Sequence, residues 1–376
     1  MTCKEVIKYL EDWAPKEIAW ENDNVGVQVG NTSRKVKNIL LSLELNAEVV
    51  NQAIKKKCNL VITHHPLIFH PIKKLDLNSD INAQLIEKLI KKEITVFSAH
   101  TNLDFTKHGV SFQLAKKLGL KNITFLKKQK SNQYKLSVFI PTTHVEKVAA
   151  AVFSSGGGII GEYSNCSFRS EGEGTFKGSN ISNPIVGTKG KYEKVKEIKL
   201  EVLVNSWKLN VVLNAMLTAH PYEEPAYDIY PLENSNVNYG AGAIGNFEKS
   251  LSPTKVLEIV SKKLDSKNLR YVYGPANKIK KVAVCGGSGS ELINEVISSG
   301  ADAFVTADIK YHTFHSANDK FLLIDAGHYE TEIPVIAEIH KRLSKLVKEK
   351  SNIKVLKYTG NTNPIKIYNK MRSHVN

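Results

Sequence analysis

The sequence predicts an α/β fold in which two related α/β repeats form one composite domain, interrupted by an inserted α+β domain. Three observations predict this fold. Short apolar runs alternate with amphipathic helical segments, one such segment recurs near the C-terminus, and the stretch between the copies has a different element order. The predicted composite domain comprises residues 1–127 plus 241–376, and the predicted insertion comprises residues 128–240.

An internal repeat organises the chain. KVKNILLSLELNAEVVNQAIKKKCNLVIT at 35–63 matches KIKKVAVCGGSGSELINEVISSGADAFVT at 278–306, with a constant offset of 243 residues (278 − 35). Both segments predict a strand, a short loop, a helix and a strand. Because apolar periodicity is generic, two unrelated βαβ units could also look alike. If the repeat is real, we expect the copies to pack around a pseudo-two-fold axis with their polar clusters at a shared mouth.

A pair of adjacent histidines follows the last strand of the first copy. His64 and His65 come directly after the apolar run at 60–62 and directly before Pro66. The run predicts a buried strand, which the proline cannot continue. Neighbouring strand residues point to opposite faces, so both imidazoles can face one site only if the backbone turns there. By itself such a pair indicates a metal site no more strongly than a coincidental surface pair.

Two further clusters favour the metal site. His100 and Asp104 follow one apolar stretch, and His328 and Glu332 follow another, with each acid four residues after its histidine. The clusters align at an offset of 228 residues (328 − 100). Histidine nitrogen and carboxylate oxygen are ligands for zinc, iron or manganese. Since only the first copy carries a double histidine, we expect one composite site instead of two equal ones.

The stretch between the copies has its own order. Strand, helix, strand, strand, helix and strand are predicted, which is the ferredoxin-like order, at 134–140, 144–154, 165–170, 197–204, 207–217 and 226–230. HPYEEPAYD at 220–228 offers His220, Glu223 and Glu224, but it lies between two prolines. We interpret it as a structural turn in preference to a metal site.

The amino-acid composition bears on whether the protein binds nucleic acid. The chain of 376 residues has a formal net charge of +15, which suggests a nucleic-acid partner. However, all but five of its 52 basic residues are lysine, whereas base and phosphate recognition favours arginine. We therefore favour a solvated lysine-rich surface over binding to a nucleic acid or another polyanion.

The sequence also bears on the compartment. No apolar stretch of about 18 residues occurs, so no membrane span is expected. The four cysteines are scattered without any C-x-x-C spacing, which is typical of free thiols in a reducing cytoplasm. We expect a cytoplasmic protein.

Several motifs together resemble the GTP cyclohydrolase 1 type 2 homologue family, also called domain of unknown function 34. The resemblance covers essentially the whole chain, and it rests on DNVGVQVG (23–30), ITHHPLIF (62–69), SAHTNLD (98–104), GGSGS (286–290), VTADIKYH (305–312) and GHYETE (327–332). The middle region, with EGEGTF and HPYEEP, is similar to the PII/CutA-like insertion of longer bacterial members. The resemblance implies a toroidal homohexamer whose metal sites face an internal cavity.

The resemblance also implies two divalent metal ions per subunit, with ligands at His64, His65, Asp104, His328 and Glu332. Five ligands for two ions leave coordination positions open, as in catalytic sites. Glu332 is the best candidate for a bridging carboxylate. His100 is interpreted as an acid/base or orienting group.

Two functions from different classes remain. The first is a metal-dependent hydrolase acting on a nucleotide-like substrate. The second is a metal-binding regulatory or metal-chaperone protein without turnover.

The glycines of GGSGS suit an anion at a helix N-terminus, but they could equally serve the turn alone.

Overall fold

A computed structural model describes residues 1–348 and 352–367 of the chain. Within these ranges the strands are β1 (Gly26–Val29), β2 (Asn38–Ser42), β3 (Leu60–Thr63), β4 (Thr95–Ser98), β5 (Lys121–Gln129), β6 (Gln133–Pro141), β7 (Ser167–Lys177), β8 (Tyr192–Asn205), β9 (Tyr227–Pro231), β10 (Asn236–Leu251), β11 (Arg270–Val272), β12 (Ile279–Ser288), β13 (Ala303–Ala307), β14 (Leu322–Asp325) and β15 (Lys354–Lys357).

The α-helices of the same ranges are α1 (Cys3–Trp13), α2 (Ala47–Lys55), α3 (Ile81–Lys91), α4 (Thr101–Asp104), α5 (Val110–Leu118), α6 (Val145–Ser154), α7 (Leu209–Ala219), α8 (Pro253–Leu264), α9 (Ile293–Ser299), α10 (Tyr311–Ala317), α11 (His328–Glu332) and α12 (Val335–Val347). The mixed α/β fold predicted from the sequence is therefore confirmed. None of the helices in the described ranges combines the length and the apolar character that crossing a bilayer requires.

The chain divides into two compact units. Residues 1–127 form the first together with the described residues from 239 onward, and residues 128–238 form the second. The first unit contains two sheets, and the second contains one.

The first sheet has the order β1-β4-β3-β2-β15. Strands β15, β2, β3 and β4 are parallel, and β1 pairs antiparallel with β4 at the edge. Ile39 and Leu41 of β2 pack into one hydrophobic core, whereas Leu40 packs into another. Burial of both faces explains why these strands are continuous apolar runs and do not alternate with polar residues.

The second sheet has the order β11-β14-β13-β12-β10-β5. Strands β12, β13 and β14 are parallel, and β11 pairs antiparallel with β14. Each sheet thus has one antiparallel strand followed by three parallel strands in reverse chain order. In the first sheet β1 is followed by β4, β3 and β2, and in the second sheet β11 is followed by β14, β13 and β12. This shared order supports the interpretation that one unit is written twice.

In the second unit the chain order β6-α6-β7-β8-α7-β9 forms a sheet with the order β7-β8-β6-β9. All its pairings are antiparallel, which is the ferredoxin-like arrangement. Leu136, Val138 and Ile140 of β6 pack with both helices on one face. Strands β7 and β8 extend beyond the predicted 165–170 and 197–204, because their ladder continues through Glu-Gly-Glu-Gly to the pair of Lys177 and Tyr192.

The chain leaves the first unit after Lys127 and returns to it at Tyr239, and these two positions lie close together. Strands β5 and β10 are neighbours in the second sheet, and a Cβ added at Gly240 would lie 2.4 Å from the carbonyl oxygen of Lys127. We therefore expect that a variant lacking residues 128–238, rejoined by a short Gly-Ser linker, stays soluble, unfolds cooperatively and keeps the full chain's metal content. Circular dichroism and elemental analysis check this. Aggregation or loss of metal would show that residues 128–238 are integral to the first unit.

Candidate metal centre

The backbone turns where β3 ends, and this turn brings both imidazoles of the histidine pair to one region. The amides of His64 and His65 both donate to the carbonyl oxygen of Leu43, at 3.1 and 2.9 Å. The hydroxyl of Thr63 donates to the carbonyl oxygen of His65 at 2.9 Å. The two rings lie 4.9 Å apart between centroids. The strand alternation that would separate the rings is thus broken at the first residue after β3.

Each ring of the pair is held through its Nδ1 atom. Nδ1 of His64 lies 2.8 Å from the carbonyl oxygen of Ala99, and Nδ1 of His65 lies 3.2 Å from Oε1 of Glu44. An acceptor at Nδ1 selects the tautomer with the proton on that atom. Nε2 then remains as the ring atom that can bind a metal.

His100 and His328 are held in the same way by carboxylates. Nδ1 of His100 lies 2.8 Å from Oδ1 of Asp23, and Nδ1 of His328 lies 2.6 Å from Oδ2 of Asp308. Carboxylate–histidine pairs of this kind orient metal-binding imidazoles and raise their basicity. The four histidines therefore share one arrangement, with Nδ1 anchored and Nε2 available.

Glu332 stands at the centre of the cluster. Its Oε1 lies 3.0 Å from Nε2 of His328 and 3.7 Å from Nε2 of His64, and its Oε2 lies 3.0 Å from Nε2 of His65. Nε2 of His64 lies 3.6 Å from Oδ1 of Asp104. The i, i+4 spacing along α11 places His328 and Glu332 on one face of that helix, as the sequence predicted.

The ionisable side chains of the cluster strongly affect one another's pKa values. Burial disfavours ionisation of Glu332, but the charge of His64 and the contacts with His328 and His65 outweigh burial and hold its pKa well below the ordinary value. Burial disfavours the protonated ring of His65, yet Glu332 and Glu44 raise its pKa to about 9. Burial likewise opposes protonation of His328, and Asp308 and Glu332 raise its pKa to about 10. Protons on His65 and His328 therefore balance the negative charge of Glu332 at neutral pH.

The donor set fits a divalent metal. Nε2 of His64 and Oδ1 of Asp104 are buried and have no hydrogen-bond partner, although buried polar atoms are rarely left without one. Ligand atoms of His65, His328 and Glu332 lie within 4.8 Å of one another. Imidazole and carboxylate donors converging in this way are the ligand set of zinc, iron or manganese.

His100 lies within the cluster instead of beside it. Ligand atoms of His64, His65 and His100 lie within 4.8 Å of one another, and the ring of His100 is 5.3 Å from that of His64. Its Asp23 partner also accepts from the amide and the hydroxyl of Thr101, at 3.0 and 2.6 Å. The geometry thus suits both roles, proton transfer and metal ligation.

Sequence reasoning missed the three carboxylates that anchor histidines: Asp23, Glu44 and Asp308. One of them carried a usable signal. Asp308 is the residue that aligns with His65 across the repeat, so a polar role after β13 could have been inferred. Asp23 lies in the DNVGVQVG motif, and Glu44 follows β2, but nothing in either local pattern points to a particular histidine.

The glycines of GGSGS serve the position of Glu332. Gly287 has a φ of +64°, and a Cβ added there would lie 2.3 Å from Oε1 of Glu332. Its amide donates to the hydroxyl of Thr331 at 3.0 Å, and the amide of Gly286 donates to the hydroxyl of Ser111 at 3.3 Å. Because both amides are engaged by hydroxyls, a structural role is favoured over anion binding; that role lies within β12, which runs on to Ser288, and not in the turn expected from the sequence.

We expect Gly287→Ala to weaken metal binding by roughly 10–100-fold, because the added methyl group displaces the Glu332 carboxylate. Gly300→Ala is the matched control, since Gly300 has the same φ of +64° with open space around its Cβ position. Both variants should lose about 1 kcal/mol of stability. Elemental analysis should show less bound metal in Gly287→Ala than in Gly300→Ala. Glu332→Ala, which removes the carboxylate itself, is expected to show a similar deficit. Equal metal content in both glycine variants would contradict this role.

Metal binding at neutral pH should release between about two and three protons, because His65 and His328 are protonated below pKa values of about 9 and 10 and burial raises the pKa of Asp104 to about 7. All three groups bind metal only in their deprotonated forms. The released number should fall as the pH rises through those values. Calorimetric titrations in buffers of different ionisation enthalpy measure it. A heat of binding that is independent of the buffer at neutral pH would contradict the expectation.

Comparison with known proteins places the chain in a family. The model of the family Duf34/NIF3 (NGG1p interacting factor 3) matches residues 1–364. A protein of Halalkalibacterium halodurans, named GTP cyclohydrolase 1 type 2 homolog, is 38% identical over 347 residues, covering 92% of this chain and 93% of that protein. A protein of the same name from Bacillus subtilis is 36% identical and covers 96% and 97%.

Solved structures agree with these matches. The Bacillus cereus protein related to NIF3 superposes with a TM-score of 0.85 at 37% identity, covering 98% of this chain and 99% of that one. A Staphylococcus aureus protein superposes with a TM-score of 0.77 at 31% identity and the same coverage. With the family model spanning nearly the whole sequence and relatives above 30% identity along most of it, the chain belongs to the Duf34/NIF3 family.

Proposed function

We propose that the chain binds two divalent metal ions and uses them to hydrolyse a nucleotide-like substrate. The observation that carries the metal part is the convergence on Glu332 of three histidine Nε2 atoms, two at 3.0 Å and one at 3.7 Å. A carboxylate flanked in this way by histidines can serve two ions at once. The resemblance to the family supplies the class of substrate.

The ligand set divides around Glu332. His65 and His328 would hold one ion, and His64 and Asp104 would hold the other, with Glu332 shared between them. When bound, two such ions polarise a substrate oxygen and lower the pKa of water towards neutrality. Zinc, iron and manganese all match the imidazole and carboxylate donors.

The proton-transfer role falls to His100 in this proposal. Its ring lies 5.3 Å from that of His64 and 5.4 Å from that of His65, between centroids, so it borders both halves of the ligand set. Asp23, whose carboxylate lies 2.8 Å from Nδ1, orients the ring. Hydrogen bonds and the charge of His100 overcome the effect of burial on Asp23 and lower its pKa to about 2, so this partner stays ionised.

The second candidate is a metal-binding regulatory or metal-chaperone protein. One observation favours it: burial of the cluster, in which His64 is 0% and Glu332 is 3% exposed, limits direct approach of a large substrate. In that case the same residues hold metal without turnover. The two candidates differ in whether bound metal is accompanied by catalysis.

From the resemblance we also infer a homo-oligomer, the toroidal homohexamer, with a cytoplasmic location. Residues 128–240 would be a PII/CutA-like insertion between the two halves of the composite domain. The formal net charge of +15 would attract an anionic substrate without selecting among such substrates.

We expect turnover of GTP or a related purine nucleotide that chelation abolishes and that zinc, iron or manganese restores. His64→Ala should abolish both metal binding and turnover. His100→Gln should keep both ions and lower kcat by about 10²–10⁴-fold, the usual contribution of a general acid or base. Nucleotide hydrolysis assays with parallel elemental analysis give both readouts. A fully metal-loaded protein without turnover of any nucleotide or phosphoester would favour the regulatory candidate, and metal loss in His100→Gln would make His100 a ligand.

A further inference from the structure

A cavity of about 770 Å³ lies in the unit formed by residues 128–238, and the proposed metal chemistry does not use it. Its size is within the range of small-molecule sites, roughly 300–1,000 Å³. Phe139, Glu197 and Lys199 line it from β6 and β8, whereas Val138 and Leu200 on the same strands pack against the helices. Because strand residues alternate, the cavity lies on the helix-free face of the sheet.

Two glycines of the EGEGTF segment form part of the cavity wall. Gly172 and Gly174 alternate along β7, so they face the same side. A Cβ added at Gly174 would lie 2.1 Å from Oε2 of Glu197, whereas one added at Gly172 would meet nothing within 4 Å. Gly174 therefore makes room for the Glu197 carboxylate, and Gly172 leaves the adjoining space open.

Glu197 is a buried acid with a fixed orientation. It is 9% exposed, and its Oε1 accepts a hydrogen bond from the hydroxyl of Tyr222 at 2.9 Å. The turn after α7 sets this contact. Nε2 of His220 donates to the carbonyl oxygen of Phe139 at 3.0 Å, and Nδ1 accepts from the amide of Tyr222 at 3.1 Å. The tyrosine hydroxyl is a neutral donor, so this contact places no positive charge beside the carboxylate.

The remaining lining defines the chemistry of an occupant. The rings of Phe176 and Tyr222 lie 6.1 Å apart between centroids and form an aromatic wall. Glu224 adds a second acid to the lining, and the cationic group of Lys199 is engaged by Glu201 at 3.4 Å. A buried acid beside aromatic faces attracts a cation that carries an apolar body.

We propose that this cavity binds an organic ammonium compound, whose cationic group pairs with Glu197 and whose apolar body lies against Phe176 and Tyr222. The EGEG and HPYEE segments are then two halves of one ligand site, the first supplying space and the second supplying the oriented partner of Glu197. The inference is independent of the metal chemistry, since every residue it uses belongs to residues 128–238.

Three compounds of matched shape test the proposal on the full chain by calorimetry: phenethylamine, phenethyl alcohol and hydrocinnamate. The amine is expected to bind at least about tenfold more tightly than the neutral alcohol, and the anion should show no measurable binding. Equal affinity for amine and alcohol, or no binding of the amine, would overturn the proposal.

Three variants locate the binding. Glu197→Gln keeps an acceptor for Tyr222 but removes the charge, so phenethylamine should bind about tenfold more weakly or worse. Gly172→Val fills the open space and should abolish binding without lowering the unfolding temperature. Glu146→Gln is the control. It removes the charge of an exposed acid on helix α6 that pairs with Arg169, and it should leave the Kd unchanged. Undiminished binding in both Glu197→Gln and Gly172→Val would place the amine elsewhere and overturn the assignment.

Discussion

A carboxylate buried as deeply as that of Glu332, which is 3% exposed, is costly unless cations or donors surround it, and much of the first unit supplies them. His64 and His65 reach it from the turn after β3, and His328 reaches it from one helical turn earlier in α11. Strand β12 passes so close to Glu332 at Gly287 that no side chain fits there. Removing any one of these contacts leaves the buried charge of Glu332 less compensated, so these side chains depend on one another.

The shared strand order of the two sheets explains how such a set arises at one place. Parallel strands in both segments end at the edge of their sheet where ligands bind in α/β proteins. The segments then differ in the residues that come after these strands. His65 lies after β3 and faces Glu332, whereas Asp308 lies after β13 and holds Nδ1 of His328. One segment thus places a histidine against Glu332 at the position where the other places the carboxylate that contacts His328, so the two segments contribute unequally to the cluster.

The second unit shows a different use of buried charge. Glu197 is held by one tyrosine hydroxyl beside two glycines, so its compensation by the protein is weaker than that of Glu332. In the metal centre, histidine contacts keep the carboxylate ionised. In the cavity of the second unit, by contrast, open space lies beside the Glu197 carboxylate. The two proposals therefore assign these acids to different kinds of cation, an inorganic ion in the first unit and an organic ion in the second.

Much of the fold could be predicted from local pattern. The apolar run at 60–62 lies in β3, the helix expected at 144–154 is α6, and the acid four residues after His328 lies on the same helical face. These features depend on neighbours within a few positions, so periodicity and the adjacent proline are enough to predict them. The lengths of β7 and β8 were underestimated, because pairing with a partner strand carries them through glycines that disfavour a strand in isolation.

From the sequence by itself we could predict the types of most elements, a repeated element order, and histidines and acids that follow the strands. Only the tertiary structure decided which acid holds which histidine. Asp23 is 77 positions from His100, Glu44 is 21 from His65, and Asp308 is 20 from His328. It also decided that Gly287 accommodates Glu332 and that Gly174 accommodates Glu197. Such pairings depend on how strands from distant segments are placed side by side, and no local periodicity encodes that placement.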